Sequence, residues 1–258
     1  MEEESESTTG PNWLDLPSDL TENILQRLGT FEIVTSACRV CPQWLNICKD
    51  PLMWCIIHMS YVRKSPYAFQ NLVKICCNVI KRSCGHLENI DIEYYCTNDT
   101  LKCIADNGSH LRCMWLVSCL GITNKGFSEA VRKLPRLGEV NIIFCIISEV
   151  SLEALGRSCP LLKLLKYHAW YPTRSCNPEK MALAIAETMP GLCHLDMKGH
   201  NLSELGVRAI IDKCPVLESL DISDCHYLSE DLTKRCIDQI KDLQLSYRYK
   251  CKQMRQLL

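Results

Sequence analysis

A repeated leucine frame constrains the fold of this chain more than any other feature. In each copy a leucine is followed, after two variable positions, by two apolar positions that are two residues apart. The frame occurs six times, with its leucine at Leu87, Leu111, Leu137, Leu162, Leu192 and Leu217. The leucines are separated by 24, 26, 25, 30 and 25 residues. Self-similarity at this spacing is typical of stacked repeat architectures.

Each copy also predicts its own local structure. Apolar positions two residues apart suit a short strand, and segments such as SLEALGRSC between the frames suit a helix. Parallel strands should stack into a concave sheet with the helices on the convex side, in a right-handed α/β solenoid over residues 84–245. Because strands lie about 4.8 Å apart, six repeats span roughly 25–30 Å and the arc should stay open.

The stretch from Leu16 to Trp54 has a different, helical pattern. Leu20, Ile24 and Leu28 recur every fourth residue, and Pro42 predicts a break near Cys41. We expect three short helices, the first with Pro17 at its first position. A unit of about forty residues buries little apolar area, so it needs a partner or a neighbouring domain.

This stretch resembles the F-box. The residues that carry the resemblance are Leu16-Pro17, Ile24-Leu25, Leu28, Val40-Cys41, Trp44 and Asp50-Pro51-Leu52-Met53-Trp54. The repeats resemble the cysteine-containing leucine-rich repeat that often follows an F-box. In five copies the position three residues past the frame holds Cys119, Cys145, Trp170, His200 and Cys225. The two resemblances together are those of a plant-type F-box/leucine-rich-repeat protein.

The resemblance implies a non-catalytic subunit of a Skp–cullin–F-box ubiquitin ligase. Its F-box would bind a Skp-type adaptor and through it a cullin–RING core, while the repeats recruit a target protein. The adaptor-binding candidates are Leu16, Pro17, Leu20, Ile24, Leu25, Leu28, Val40, Trp44, Leu52 and Trp54. Val40 and Trp44 could serve the core of the module instead. The alternatives are a scaffold or inhibitor that acts without ubiquitination, and an enzyme that carries ubiquitin on a surface cysteine.

The fourth repeat is the longest, and its surplus falls in HAWYPTRSCNPEKM. Insertions in repeat proteins form loops, often on the binding face. Trp170, Tyr171 and Arg174 are therefore candidates for target binding, because aromatic and arginine side chains dominate interface energetics. Trp170 could equally fill the buried position that Cys119 and Cys145 hold in their repeats.

Composition excludes several other classes of function. A formal charge of −1 on 258 residues gives no reason to expect binding to nucleic acid or to an anionic membrane. Apolar runs stay well below the roughly 20 residues that span a bilayer. The nineteen cysteines are odd in number, and MEEESESTTG is no signal peptide, so we expect reduced thiols in the nucleus or cytoplasm.

Metal and cofactor sites are not expected either. Cys38, Cys41, Cys48, Cys55 and His58 approach zinc-ligand spacing, but the first three fall at helical steps and a second Cys-x-x-Cys is missing. The predicted division of the chain is a disordered acidic tail (1–11), the F-box (12–58), a linker helix (59–83), six repeats (84–245) and a basic tail (246–258).

Overall fold

Parallel strands in sequential order form one layer of the molecule. The computed structural model describes residues 16–59, 69–168, 177–225 and 228–245. Within these ranges a single sheet holds eight strands, each paired in parallel with the next along the chain. They are β1 (Ile56–Met59), β2 (Asn89–Glu93), β3 (Cys113–Val117), β4 (Glu139–Ile143), β5 (Leu164–His168), β6 (His194–Asp196), β7 (Ser219–Ile222) and β8 (Asp242–Leu245).

Helices between the strands form the second layer, and each packs on the next. They are α4 (Phe69–Arg82), α5 (Asn98–Asn107), α6 (Asn124–Val131), α7 (Glu149–Ser158), α8 (Pro178–Thr188), α9 (Glu204–Lys213) and α10 (Glu230–Gln239). The apolar frame residues fill the space between the layers, and Leu87, Leu111 and Leu137 are fully buried. The predicted α/β solenoid is confirmed, with β2 to β7 as the six predicted strands.

The sheet is longer than the sequence pattern predicts, by one strand at each end. The first strand, β1, follows directly on the F-box stretch, and α4, predicted as a linker helix, is the helix of this additional repeat. At the other end α10 stops at Gln239 and the chain adds β8. Ile57 pairs with Ile90 and Leu220 with Leu243, which places Trp54 and Ile240 at the leucine position of the frame. The pattern did not include these two repeats because Trp54 and Ile240 replace the leucine that defines it.

Side chains in the first turn of several helices reach the residue that caps the next helix. The pairs of acceptor and cap residue are Asn98–Thr123, Asn124–Ser148, Glu179–Ser203 and Glu204–Ser229. The Oδ1 atom of Asn124 accepts from the Ser148 amide at 2.8 Å and from the hydroxyl of buried Ser151 at 2.9 Å. Ser148 makes no side-chain cap of its own, so Asn124 supplies an acceptor for the start of α7.

Replacing Asn124 with alanine should lower the free energy of unfolding by about 1–3 kcal/mol, because the Ser148 amide loses its acceptor and the Ser151 hydroxyl is left with the Asn124 backbone carbonyl. Urea titration followed by circular dichroism measures the loss. The matched control is Lys125→Ala, which removes an exposed side chain whose only ion pair is 3.9 Å long and should cost less than about 0.5 kcal/mol. Equal losses for both variants would contradict the role of Asn124.

The N-terminal module contains the three predicted helices, α1 (Ser18–Leu25), α2 (Thr30–Thr35) and α3 (Pro42–Ile47), with short 3-10 helices at Ala37–Arg39 and Pro51–Trp54. Pro17 precedes α1 as its cap residue, and Thr30 begins α2 rather than capping it. The Oγ1 atom of Thr30 instead accepts from the amide of His58 at 3.0 Å, which ties α2 to β1. No helix in the described ranges is long and apolar enough to cross a membrane.

Candidate functional site

The N-terminal module leaves several large apolar side chains in solvent. Five of the predicted adaptor-binding residues are between 37% and 60% exposed, and we refer to them as the exposed apolar set: Leu20, Ile24, Leu28, Val40 and Leu52. Leu45, which the motif did not single out, is exposed to a similar degree. Pro17 is also exposed, and Leu16 is half-buried. These side chains are available to a partner without any rearrangement of the module.

Two predicted contact residues are instead part of the core. Leu25 and Trp54 are buried, and the indole Nε1 of Trp54 donates to the carbonyl of Cys48 at 3.0 Å. Neither side chain can touch an adaptor, so their assignment as contact residues is wrong. Trp44 is half-buried against the core, as expected, whereas Val40 is among the most exposed apolar residues of the module. The idea that Val40 serves the core is therefore also wrong.

The predicted target-binding residues Trp170, Tyr171 and Arg174 lie in 169–176, outside the described residues. The strand before them ends at His168, and α8 begins after Asn177, whose side chain accepts from the amide of Lys180. The target-binding role of this loop stays a prediction.

The face of the sheet opposite the helices is the second candidate surface. Strand register aligns one residue per strand in a line that we call the outward row: His58, Asp91, Trp115, Asn141, Lys166, Asp196, Asp221 and Gln244. On both sides of this row in each strand, buried apolar residues such as Ile90 and Ile92 point toward the helices. The outward row therefore crosses the whole sheet on its open face.

Carboxylates in the C-terminal half of the row have cationic partners. Asp196 Oδ1 lies 2.8 Å from His168 Nε2, and Asp221 Oδ2 lies 2.9 Å from Lys198 Nζ. Burial raises the pKa of Asp196, but contact with His168 and a hydrogen bond from the Lys198 amide outweigh it, and the net pKa is lowered. Asp196 thus stays ionised at neutral pH, and these contacts hold both side chains in place.

The end of the sheet at which β2, β3 and β4 terminate has an unusual backbone. Tyr94, Ser118 and Phe144 follow these strands at equivalent positions with φ of 68°, 53° and 56°. The amide of each donates to a carbonyl of the next strand, at 2.8 Å from Ser118 to Ile143. Positive φ is uncommon outside glycine and clusters at functional sites.

Exposed apolar side chains lie at these positions and shortly after them in the chain. They form what we call the apolar rim: Tyr94, Leu120, Phe144 and Ile146. The sequence reasoning did not identify the rim. The available signal was an aromatic residue directly after the strand in two repeats, at Tyr94 and Phe144.

Comparison with known proteins adds to this geometry. A model of the F-box domain matches residues 13–56. "Putative F-box/LRR-repeat protein 23" of Arabidopsis thaliana is 44% identical over 90% of this chain and 53% of its own length. "F-box protein SKIP19" is 42% identical over 89% of this chain and 76% of its own length, and "Putative F-box/LRR-repeat protein 9" is 40% identical over 83% and 88%, both from the same plant.

The chain belongs to the F-box/leucine-rich-repeat family. It spans about half the length of the first of these relatives. In this F-box/leucine-rich-repeat protein the match to the F-box ends at residue 56, where β1 begins. The F-box and the repeat sheet therefore meet without an intervening linker, and Trp54 and Ile57 belong to one continuous core.

The cysteines of this F-box/leucine-rich-repeat protein pack as structural side chains. The thiol of Cys119 lies 3.3 Å from the carbonyl of Ile92 in the preceding repeat, and that of Cys225 lies 3.7 Å from the carbonyl of His200. Cys119 and Cys225 are buried as predicted, and Cys145 is half-buried against the core. Burial raises the pKa of Cys225 to about 11, so its thiol stays protonated and is a poor nucleophile.

Acidic, histidine and cysteine side chains are the usual protein ligands of metal ions. Across the residues with described positions, no group of three or more of these side chains is arranged to hold a metal ion. The two surfaces that the structure offers for function are thus the exposed apolar set on the F-box and the open face of the sheet with its apolar rim.

Proposed function

We propose that this protein is the substrate-recognition subunit of a Skp–cullin–F-box ubiquitin ligase, acting in the nucleus or cytoplasm. Its F-box would bind a Skp-type adaptor, and its repeats would hold a target protein for ubiquitination. The observation that carries the proposal is the exposed apolar set, on a module that matches the F-box domain. Covering one large apolar side chain contributes about 1.5–3 kcal/mol, so five of them favour a stable partner.

The pattern on α1 supports this reading. Leu20 and Ile24 lie four residues apart on one side of α1, which would be its core face in an isolated domain. The structure buries the other side instead, through Thr21 and Leu25. An apolar face turned outward in this way is typical of a protein-interaction site.

The proposed contribution to ubiquitination is positioning rather than chemistry. A target held on the repeats would have a high effective concentration beside a ubiquitin-loaded enzyme bound to the same cullin. A nucleophilic role is disfavoured for the thiols of Cys159 and Cys214, because burial raises their pKa to about 12 and about 11. We further propose that the target contacts the open face and the loop that contains Trp170, Tyr171 and Arg174.

The test is capture of a Skp-type adaptor by the full chain on co-expression. Val40→Asp with Leu52→Asp should weaken capture by at least about 100-fold, because two charges would be buried in an apolar interface. Both positions are more than half exposed, so the melting temperature should not change. The matched control is Leu161→Asp with Leu205→Asp, two equally exposed leucines on the repeats.

Undiminished capture by the F-box variant would refute the adaptor site. Capture by the wild type, followed by no ubiquitination of any bound protein when a cullin–RING core is added, would favour the scaffold or inhibitor. Replacing Tyr171 and Arg174 with alanine should reduce recovery of ubiquitinated target and leave adaptor capture intact.

A further inference from the structure

Trp115 occupies the centre of the open face in a fixed orientation. It is 41% exposed, the largest exposure of any tryptophan among the described residues. With the Asn141 amide turned so that its oxygen faces the indole, Trp115 Nε1 donates to it at 3.0 Å and the Asn141 nitrogen donates to the Val140 carbonyl at 3.2 Å. Asn141 is itself buried. The indole edge is therefore satisfied from within the protein, while the ring remains open to a ligand.

Asp91 lies directly opposite Trp115 in the strand register. Its Oδ1 is buried and has no hydrogen-bond donor. Its Oδ2 has His58 Nδ1 as its nearest cationic atom, at 3.7 Å, which is too long for a hydrogen bond. Burial raises the pKa of Asp91, and His58 only partly opposes this. A half-buried carboxylate with so few donors is destabilising, and a partner on the open face can supply donors to its accessible Oδ2 side.

The open face carries an excess of carboxylates, although Asp221 is paired with Lys198 just after β6. The outward positions of the eight described strands carry one lysine, Lys166, and six carboxylates: Asp91, Glu93, Glu139, Asp196, Asp221 and Asp242. The formal charge of the entire chain is only −1, so the negative charge is concentrated on this face. Such a surface attracts a cationic partner and repels nucleic acid phosphates.

We propose that the target docks on the open face through a basic segment, with one arginine side chain seated between the Trp115 ring and the Asp91 carboxylate. This inference rests on the proposed function, because it assigns the chemistry of the target. A guanidinium stacks on an indole and at the same time offers several donors to a carboxylate, which an ammonium does less well. The apolar rim, just past the ends of β3 and β4 at Leu120 and Phe144, suits an apolar residue near that arginine.

The probe is the nonapeptide SGALRLAGS, with counterparts that carry lysine, glutamine or glutamate in place of arginine. Each is titrated to several millimolar into the full chain in its adaptor complex, while the Trp115 indole N–H signal is followed by NMR. Trp115→Leu assigns that signal. The arginine peptide should shift it and bind at least 10-fold more tightly than the glutamine peptide, with lysine in between and glutamate weakest. Added salt should weaken the binding.

Asp91→Asn keeps the shape of the side chain and removes its charge, so it should lower the affinity for the arginine peptide at least 10-fold. The matched control is Asp242→Asn at the edge of the same face, which should change affinity by less than about 3-fold because that carboxylate already accepts from Ser219 and Gln244. Equal affinity for the arginine and glutamine peptides, including no binding by either, would overturn the inference, as would unchanged binding by Asp91→Asn.

Adaptor capture by the same proteins separates this inference from the proposed function. The Asp91 and Trp115 variants should bind the adaptor as the wild type does. If free chain binds the arginine peptide but captures no adaptor, the proposed ligase role fails and the arginine site stands. If the adaptor is captured and the peptides do not discriminate, only the arginine site fails.

Discussion

Replacing Trp54 with alanine is expected to lower the free energy of unfolding by about 3–5 kcal/mol, the range for removal of a fully buried tryptophan. Trp54 is 1% exposed. It ends the F-box and also stands at the leucine position of the first repeat frame, aligned with Leu87. The Arg82 guanidinium at the end of α4 lies 5.8 Å from the centre of its ring. One side chain thus joins the F-box, β1 and α4.

Because of this position, the loss should appear on both sides of the junction. Urea unfolding measures the free energy, and amide hydrogen exchange should show faster opening in α3 and α4 together. Trp54→Phe is the matched variant, since it keeps most of the volume and removes the hydrogen bond to Cys48, which costs about 1–2 kcal/mol. A loss below about 1 kcal/mol for the alanine variant, or opening confined to α3, would show that Trp54 does not couple the two parts.

The repeat pattern predicted the six central strands because a buried leucine two residues before the strand is present in each of them. It missed β1 and β8 for the same reason, since Trp54 and Ile240 fill that position with other apolar side chains. The terminal repeats of a solenoid face different neighbours and depart from the internal pattern. A frame that requires leucine at this position excludes β1 and β8. A frame that requires only a buried apolar residue includes them.

The F-box motif identified the signature residues in the sequence but did not show which of them are exposed to solvent. Ile24 and Leu25 are adjacent and equally apolar, yet Ile24 is exposed and Leu25 is buried. A helical pattern defines an apolar face and does not say whether the core or a partner covers it. The apolar rim could not be predicted from the sequence for another reason. Tyr94 and Phe144 have positive φ, but a glycine, the residue that usually indicates this conformation, is absent at both positions.

The stability of the protein should fall in mild acid because of one histidine. His200 occupies the repeat position at which three other repeats have a cysteine, namely Cys119, Cys145 and Cys225. It is 2% exposed, its ring stacks on that of Tyr167 with centroids 4.7 Å apart, and its Nε2 has no hydrogen-bond partner. Burial, with a smaller effect of His168, lowers the pKa of His200 from 6.5 to about 4.

The direction of the pH dependence follows from this shift. The unfolded chain binds a proton at His200 near pH 6.5, whereas the folded protein keeps the imidazole neutral until about pH 4. The contribution to stability is therefore fully present above pH 6.5 and is lost as the pH falls toward 4, by about 3 kcal/mol in total. Carboxylates also contribute to the pH dependence, because burial raises the pKa of Asp91, so the wild-type curve alone cannot isolate the histidine.

His200→Cys isolates it, because the variant restores the residue of the neighbouring repeats and stays neutral across the window. The smaller side chain changes stability by a constant amount, so the measured quantity is the difference in unfolding free energy between variant and wild type against pH. That difference should be flat above pH 6.5 and should move in favour of the variant by about 3 kcal/mol by pH 4. His194→Gln, at an exposed histidine, is measured alongside as the control. A flat difference for His200→Cys would mean that the folded protein accepts the proton at His200 as readily as the unfolded chain does.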